Sequence, residues 1–417
     1  MNPPRTSRNT TALVAINPLA APPTKTKKTS ADTRIGEYLR ECAIKTCCQT
    51  IPTHGSNLES SSSEGQGHVV LVAITGATGL VGSHCTATAL AAGYDVRMVV
   101  RNPDKARSAL ALHGLPSEAA EVFEADLTDH DRLRASLAGV DGLIHAGAVF
   151  SLDPRHASAM RDVNPASTAV ILGEAADQGL DRVIHVSSMG VYAPSLVDIV
   201  PESPVGPESG AYTGSKIAAD GAAVALQKAG HPVVVVCPGG ILGPLDPSPN
   251  LSDSMAMIRY WVRMRTTAIP RTIRFGFVDV RDVAEVCVGS LSRGDAPARH
   301  LLAGHIHSMT DMLGIAAELT GRRVRVMNIP SWTITLGGTV CDLVGRATGN
   351  KMPLTGETAR LTVGNARAGG LQSVDQGSAT EAFGFPTRSI SETLTDTIKW
   401  MYTAGHLTAD QAGLLAT

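Results

Sequence analysis

Three scarcities narrow the function of this 417-residue chain before any motif is considered. The chain has no large excess of positive or negative charge, since 36 Lys and Arg nearly balance 38 Asp and Glu for a net charge of −2. We therefore expect no nucleic-acid partner. No apolar run reaches the ~18 residues of a membrane span. The cysteines, seven in number and scattered, argue against a secreted disulfide framework, and we predict no metal site.

The first 67 residues differ in composition from the rest of the chain. They are rich in Ser, Thr, Pro and Lys, and residues 1–30 hold basic side chains but no acid. That charge pattern resembles an organellar transit peptide, although prolines interrupt any amphipathic helix. We predict a disordered N-terminal extension over residues 1–67 and a cytoplasmic protein, with organellar import as the open alternative.

A strand, a glycine turn and the start of a helix follow one another in the stretch Val69–Gly82. Glycines let the backbone approach an anion, and the helix N-terminus offers free N–H groups to a pyrophosphate. The Gly-x-x-Gly-x-x-Gly spacing is one residue wider at the front than the usual dinucleotide fingerprint, and a tight turn without a ligand is the alternative. The residues predicted to bind a cofactor here are Gly76, Thr78, Gly79, Leu80, Val81 and Gly82.

From Val69 onwards, predicted strands alternate with predicted helices. This alternation favours an α/β fold with a doubly wound parallel sheet, the Rossmann arrangement, in which ligands lie beyond the carboxyl ends of the strands. Past Pro238 the pattern predicts a smaller, mostly helical C-terminal lobe, with a loop over residues 366–379. The predicted strands are 69–75, 95–100, 121–125, 142–146, 182–187, 233–237 and, in the lobe, 273–278.

The end of the second predicted strand indicates which nicotinamide cofactor is used. NAD-selective folds carry an acidic residue there that binds the ribose hydroxyls, whereas this chain carries Arg101, with no acid before Asp104. A guanidinium can pair bidentately with a 2′-phosphate, and Lys105 adds a second positive charge. The sequence therefore predicts NADP(H) rather than NAD(H), unless Arg101 is an ordinary loop charge in solvent.

A tyrosine and a lysine four residues apart open a predicted helix that ends near Ala229. Tyr212 and Lys216 share one helix face, and an adjacent ammonium favours the phenolate, so the tyrosine can exchange a proton with a carbonyl or alcohol oxygen. Ser188 directly follows the fifth predicted strand and can hold that oxygen in place. Each signal alone is weak, since the pair also occurs on helix surfaces and the serine in strand-end turns.

These residues together resemble the extended short-chain dehydrogenases/reductases of the NAD(P)-dependent epimerase/dehydratase type. The segments 99–103 and 212–216 are most similar to the dihydroflavonol-reductase and 3β-hydroxysteroid-dehydrogenase branch, and the resemblance spans about residues 69–405. Asn164 and the segments 125–127, 144–148, 277–284, 374–375 and 383–385 also match. The chain departs from the family at Cys237 and Leu242, where Arg and Tyr are usual, and at Ala193, where Gly is common; these departures weaken the case for a sugar-nucleotide substrate.

The resemblance implies roles for individual residues. Ser188, Tyr212 and Lys216 would form the catalytic triad, and Lys216 would also hold the nicotinamide ribose. Asp126 and Leu127 would flank the adenine. The residues that would line the cofactor cleft are Ala146, Ala148, Pro238 and Ile241.

The function predicted from the sequence is an NADP(H)-dependent oxidoreductase that acts on a ketone, an aldehyde or a secondary alcohol. Apolar residues after Pro244 suggest a lipophilic, steroid- or flavonoid-like substrate, although an ordinary packing helix explains most of them. The alternatives are a sugar-nucleotide epimerase or dehydratase and a non-catalytic NADP-binding sensor. We predict an NADP-binding domain over 68–244, a substrate-binding lobe over 245–417 with segments returning to the first domain, and leave a homodimer open.

Overall fold

A computed structural model gives the arrangement of most of the chain. It describes residues 69–151, 154–193, 198–270, 273–294, 297–348, 356, 359, 362–364 and 370–417. The predicted N-terminal extension, residues 1–67, lies outside the described residues.

A parallel sheet of seven strands forms the centre of the molecule. Its order is β3-β2-β1-β4-β5-β7-β11, and every adjacent pair is parallel. The seven strands are β1 (Leu71–Thr75), β2 (Asp95–Val100), β3 (Glu121–Glu124), β4 (Gly142–His145), β5 (Val183–Val186), β7 (Val233–Pro238) and β11 (Arg299–Leu302). The strand order reverses between β1 and β4, which is where such sheets bind ligands.

Both faces of this sheet are covered, because successive strand residues point to opposite sides. In β1, Val72 and Ile74 belong to one buried cluster, whereas Ala73 belongs to another. The strands β1 and β7 are accordingly apolar along most of their length, which is typical of parallel sheets between two helical layers. The helices that cover the sheet are α1 (Leu80–Ala91), α2 (Pro103–Leu112), α3 (His130–Ala135), α4 (Ala157–Asp177), α5 (Ala211–Lys228) and α7 (Val280–Ser290). Short 3₁₀ helices lie at Pro154–His156 and Met189–Tyr192.

The C-terminal part combines helices with short strands. Its strands β8 (Gly240–Leu242), β10 (Arg274–Asp279) and β12 (His305–Ser308) form a second sheet, in which β10 is antiparallel to β12. The remaining elements are β6 (Asp198–Ile199), β9 (Thr266–Ala268), β13 (Arg325–Met327), β14 (Ser373–Val374), α6 (Asp253–Arg263), α8 (Met309–Thr320), α9 (Trp332–Thr348), α10 (Gly377–Phe383), α11 (Ile390–Thr403), α12 (Ala409–Ala412) and a 3₁₀ turn at Gly413–Leu415.

The predicted Rossmann fold with a helical C-terminal region is confirmed, and two details differ from prediction. The expected loop over 366–379 is wrong for its described part, because Ser373–Val374 pairs with Asp198–Ile199 and a helix begins at Gly377. The seventh strand of the central sheet, β11, was not predicted. Within the described residues, no helix has the length and apolar character needed to cross a membrane.

Candidate active site

The predicted site residues follow the carboxyl ends of the central strands, and parallel pairing brings those ends to one edge of the sheet. Gly76 follows β1 and Arg101 follows β2. Asp126 and Leu127 follow β3, Ala146 and Ala148 follow β4, and Ser188 follows β5. Pro238 is the last residue of β7, and Ile241 lies three residues later in β8. The roles assigned to these residues remain predictions.

The glycine turn after β1 is closely packed. Gly76 has a φ of +68°, and a Cβ on it would lie 2.7 Å from the Cα of Gly147, in the segment after β4. A Cβ on Gly82 would lie 2.3 Å from the carbonyl oxygen of Gly76. The N–H of Gly147 donates to Thr75 Oγ1 over 3.0 Å. Side chains at these glycines would therefore separate α1 from the turn and the turn from β4.

The N-terminus of α1 is open to a ligand. Gly79 is its N-cap, no side chain caps the helix, and its first turn holds no acidic residue. The first N–H groups of a helix have no partner within it. Together with the positive end of the helix dipole they form a site for an anion such as a pyrophosphate.

Arg101 lies beside Asp126 at the ends of β2 and β3. Its Nη1 is 3.8 Å from Asp126 Oδ2, and its side chain is 79% exposed. Hydrogen bonds from Thr128 lower the pKa of Asp126, and the charge of Arg101 adds to this effect. The neighbouring Asn102 caps α2 by accepting from the N–H of Lys105 at 3.2 Å. Both predicted cations are thus exposed on the rim of the cofactor edge.

Ser188 and Tyr212 come from different elements and meet through their hydroxyl groups. The Tyr212 hydroxyl donates to Ser188 Oγ over 3.1 Å, and the N–H of Gly190 donates to the same oxygen over 3.0 Å. Ser188 Oγ therefore already accepts two hydrogen bonds. Its own proton remains for a further acceptor, such as a carbonyl oxygen of a substrate.

Lys216 lies one turn after Tyr212 on α5 and points towards the end of β5. Its Nζ donates to the carbonyl oxygen of Val186 over 3.2 Å. Burial lowers the pKa of Lys216 to about 8, while the nearby Cys237 and Asp220 act in the opposite direction. The pKa of Lys216 therefore lies much closer to neutral pH than that of an ordinary lysine, as is common for functional lysines.

A buried ion pair lies beneath this site and was not predicted from the sequence. Arg299, on β11, donates to both carboxylate oxygens of Asp220, at 3.1 and 2.8 Å. Ser187 Oγ donates to Asp220 as well, at 2.7 Å. Arg299 Nη1 also lies 3.1 Å from the Sγ of Cys237 and 3.3 Å from the hydroxyl of Tyr192. A guanidinium from the neighbouring strand thus lies beside the position at which the resembling family usually carries an arginine.

Asp220 could have been predicted from the sequence to lie near the site, because it lies four residues after Lys216 on the same helix face. Arg299 could not, since 79 residues separate it from its partner.

Asn164 and Phe150 belong to the segments around Tyr212. The buried Asn164 accepts from the N–H of Val149 at 2.7 Å and donates to its carbonyl oxygen at 2.9 Å and to Ser215 Oγ at 3.1 Å. It thereby ties the segment after β4 to α4 and α5. The next residue, Phe150, is 45% exposed and packs edge-on to Tyr212 with ring centroids 4.7 Å apart. An apolar ring therefore borders the predicted proton donor.

No group of three potential metal ligands occurs among the residues that the structure describes. The polar groups described at this edge of the sheet are the hydroxyls of Ser188 and Tyr212, the ammonium of Lys216 and the uncapped N-terminus of α1.

Comparison with known proteins gives matches over most of the chain. A family model described as "NAD dependent epimerase/dehydratase family" matches residues 72–304. A Synechocystis protein provisionally named dihydroflavonol 4-reductase is 26% identical over 347 residues, which cover 80% of this chain and 95% of the relative. Sterol demethylase protein B of Methylococcus capsulatus is 31% identical over 266 residues, covering 62% and 76% of the two chains.

The solved structures show the same fold. UDP-glucose 4-epimerase from Bifidobacterium longum, in complex with NAD+ and UDP, superposes with a TM-score of 0.59 at 18% identity. The match covers 80% of this chain and 98% of the epimerase. At this identity the likeness concerns the fold alone.

Proposed function

Since this chain belongs to the NAD dependent epimerase/dehydratase family, we propose that it transfers a hydride between NADP(H) and a lipophilic ketone, aldehyde or secondary alcohol. It is an NAD(P)-dependent oxidoreductase, a class to which its reductase relatives also point. The preference for NADP(H), the residue roles and the lipophilic substrate are our proposals.

The residues at the cofactor edge fit a dinucleotide. The uncapped N-terminus of α1 would hold the pyrophosphate, and Gly76, Gly79 and Gly82 add no side chain beside it. The bound cofactor supplies the hydride, which no protein side chain can provide. Lys216 would bind the nicotinamide ribose, since its Nζ has donors beyond the one used by Val186.

One observation carries the preference for NADP(H): the exposed guanidinium of Arg101 at the end of β2. With its side chain 79% exposed, Arg101 can turn towards a 2′-phosphate and pair with it bidentately. An acidic residue in this place would repel that phosphate. Lys105, exposed in the first turn of α2, adds positive charge nearby.

The proton would move at the substrate oxygen. Ser188 Oγ accepts from Tyr212 and Gly190, so its own proton is available to hold that oxygen next to the Tyr212 hydroxyl. In the direction of reduction Tyr212 would give its proton to the oxygen, and in oxidation it would take one back. The Lys216 ammonium would stabilise the phenolate that remains after proton donation.

Two observations support a lipophilic substrate. The exposed ring of Phe150 lies against Tyr212, so a molecule that reaches the proton donor would also cover an apolar ring. One relative is named as a sterol demethylase protein and another as a dihydroflavonol reductase.

The experiment has a binding part and a turnover part. NADPH and NADH are titrated into the wild type and Arg101→Asp, with nucleotide fluorescence as the signal. A charge-assisted contact of about 1.5–3 kcal/mol should favour NADPH by roughly tenfold to a hundredfold. Arg101→Asp should reverse this preference, whereas the control Arg107→Asp, on the exposed side of α2, should leave it unchanged. Tighter binding of NADH by the wild type would contradict the proposal.

Turnover is tested with panels of steroid and flavonoid ketones, small aldehydes and UDP-sugars. NADPH consumption with the ketone or aldehyde panels supports the proposed reaction. Conversion of a UDP-sugar without net consumption of nucleotide would instead assign the epimerase reaction. Binding of NADPH without turnover of any panel would favour the non-catalytic sensor.

A further inference from the structure

Helix α9 exposes a continuous apolar face. Five large side chains on it are 40–61% exposed. Their spacing of four, four, three and one residues places them on the same side of a helix, which at 17 residues is about 25 Å long. The five residues are Trp332, Leu336, Val340, Leu343 and Val344.

The helix itself and the segment before it are poor in acidic residues. The other exposed residues of α9 with described side chains are uncharged, namely Thr335, Thr339, Ala347 and Thr348. Asp342 is the only acidic residue in the sequence between Gly321 and Thr348, whereas arginine occurs four times. The Asp342 carboxylate is partly buried and accepts from the N–H of Gly356 at 3.1 Å. The helix thus presents no exposed acid beside its apolar face.

The strand that precedes α9 exposes arginines. In the segment over β13, Arg323, Arg325 and Met327 are exposed, while the alternate residues Val324 and Val326 are partly buried. Strand geometry places alternate residues on one face, so the two guanidinium groups and the Met327 side chain, which is 45% exposed, share the outer face of the β9–β13 ribbon. Four residues then connect this ribbon to α9.

Asp410, the acidic residue with ion pairs near this ribbon, contacts arginines other than Arg323 and Arg325. Asp410 lies 3.2 Å from Arg265 and 4.0 Å from Arg322. The ion pairs of Asp410 thus leave Arg323 and Arg325 without an acidic partner among the described residues, and α9 begins five residues after the end of β13. Such a combination complements a surface that is apolar within and negative outside, which describes a bilayer with anionic headgroups.

We propose that α9 and the outer face of the β9–β13 ribbon form a peripheral binding surface for membranes that contain anionic lipid. The apolar face of α9 would lie in the boundary between headgroups and acyl chains, parallel to the membrane plane. Arg323 and Arg325 would contact the headgroups, where each basic residue strengthens attachment. The chain would lie on the membrane, in agreement with the lack of a spanning helix among its described residues.

The tryptophans provide a direct readout. Of the three in the chain, Trp261 and Trp400 are buried at 6% and 4% exposure, whereas Trp332 is 61% exposed. A shift of the emission to shorter wavelength on addition of vesicles therefore reports Trp332 entering an apolar medium. The full chain should show this shift, and co-sediment, with phosphatidylcholine vesicles that contain phosphatidylserine. Binding should weaken without phosphatidylserine and at high salt.

Two sets of variants separate the apolar and the basic contributions. Leu336→Ser combined with Leu343→Ser should lower the vesicle partition constant about tenfold or more. The matched control Val69→Ser changes an exposed apolar residue two positions before the start of β1. This variant should leave the partition constant unchanged. Arg323→Ala with Arg325→Ala should abolish the preference for phosphatidylserine, whereas Arg107→Ala with Arg134→Ala should keep it.

Three outcomes would overturn this proposal. The first is absence of binding to either vesicle. The second is binding that the double serine variant leaves unchanged. The third is a concentration-dependent dimer, seen by sedimentation in the absence of lipid and lost in the serine variant, because it would assign this face to a second copy of the chain. Cofactor titration is performed on the same variants, so failure of membrane binding is distinguishable from failure of the proposed activity.

Discussion

Tyr212 is the residue on which the proposed chemistry depends. Its hydroxyl group donates to Ser188 Oγ, and replacement by phenylalanine removes this hydroxyl while the ring remains against Phe150. We expect Tyr212→Phe to bind NADPH normally and to lose roughly a hundredfold to ten-thousandfold in kcat. Tyr94→Phe, at a partly buried site before β2, is the control. A kcat close to that of the wild type would exclude Tyr212 as the proton donor.

Lys216 makes the proposed reaction dependent on pH. Its pKa is lowered by burial to about 8, so its positive charge is lost as the pH rises through about 8, and kcat should fall on that alkaline side. Asp220 raises the pKa of Lys216 through its negative charge. Asp220→Asn should therefore move the alkaline limb to lower pH, whereas Asp181→Asn, on an exposed side chain, should not. A limb that stays in place or moves upwards would contradict this link.

At the level of elements, the ion pair of Arg299 and Asp220 joins β11 to α5. Ser187 connects it to the turn after β5, and Cys237 connects it to the end of β7. The side chains of Arg299 and Asp220 are only 10% and 2% exposed. The elements that carry Ser188, Tyr212 and Lys216 are thus held by one buried pair.

Replacing only Arg299 should lower the free energy of unfolding more than replacing both Arg299 and Asp220. Arg299→Met leaves a buried carboxylate without its cation, which destabilises a fold by about 3–5 kcal/mol. Arg299→Met combined with Asp220→Asn should recover part of that free energy of unfolding, as measured by urea denaturation in a double-mutant cycle. If the two single losses simply add in the double variant, the pair does not act as a unit.

For the whole molecule, buried histidines should set its sensitivity to acid. Burial lowers the pKa of His84 to about 4 and that of His145 to about 3, and it lowers those of His113 and His185 too. The unfolded chain binds these protons near pH 6.5, whereas the folded chain excludes them. The free energy of unfolding should therefore fall as the pH drops from about 6.5 to about 4.

The contribution of one histidine can be isolated. His84→Gln should reduce the fall in stability between pH 6.5 and pH 4 by on the order of 2–3 kcal/mol, whatever its effect at neutral pH. His156→Gln changes an exposed histidine and should not alter the fall. Urea denaturation across this pH range measures both, and equal slopes for His84→Gln and the wild type would refute the assignment.

Features that depend only on residues close together in the chain could be predicted from the sequence. The strand, the glycine turn and the helix around Gly76–Gly82 are each indicated by residues that lie only a few positions apart in the sequence. Tyr212 and Lys216 share a helix face because a helix repeats every 3.6 residues. Parallel pairing then required the ends of β1, β2, β4 and β5 to meet at one edge, so the predicted site residues were expected to gather there.

Features that depend on segments distant in the sequence could not be predicted, because their contacts form only when the chain folds. The short strand β11, with the sequence Arg-His-Leu-Leu, has no clear strand pattern, and it becomes the seventh strand by pairing with the edge of β7. That pairing brings Arg299 next to Asp220 and Cys237. The exposure of Trp332 and Leu336 could not be predicted from the sequence either. An apolar helix face has the same periodicity whether a neighbouring element covers it or not. Only the packing of the whole chain distinguishes a core face from a surface that remains open to a partner.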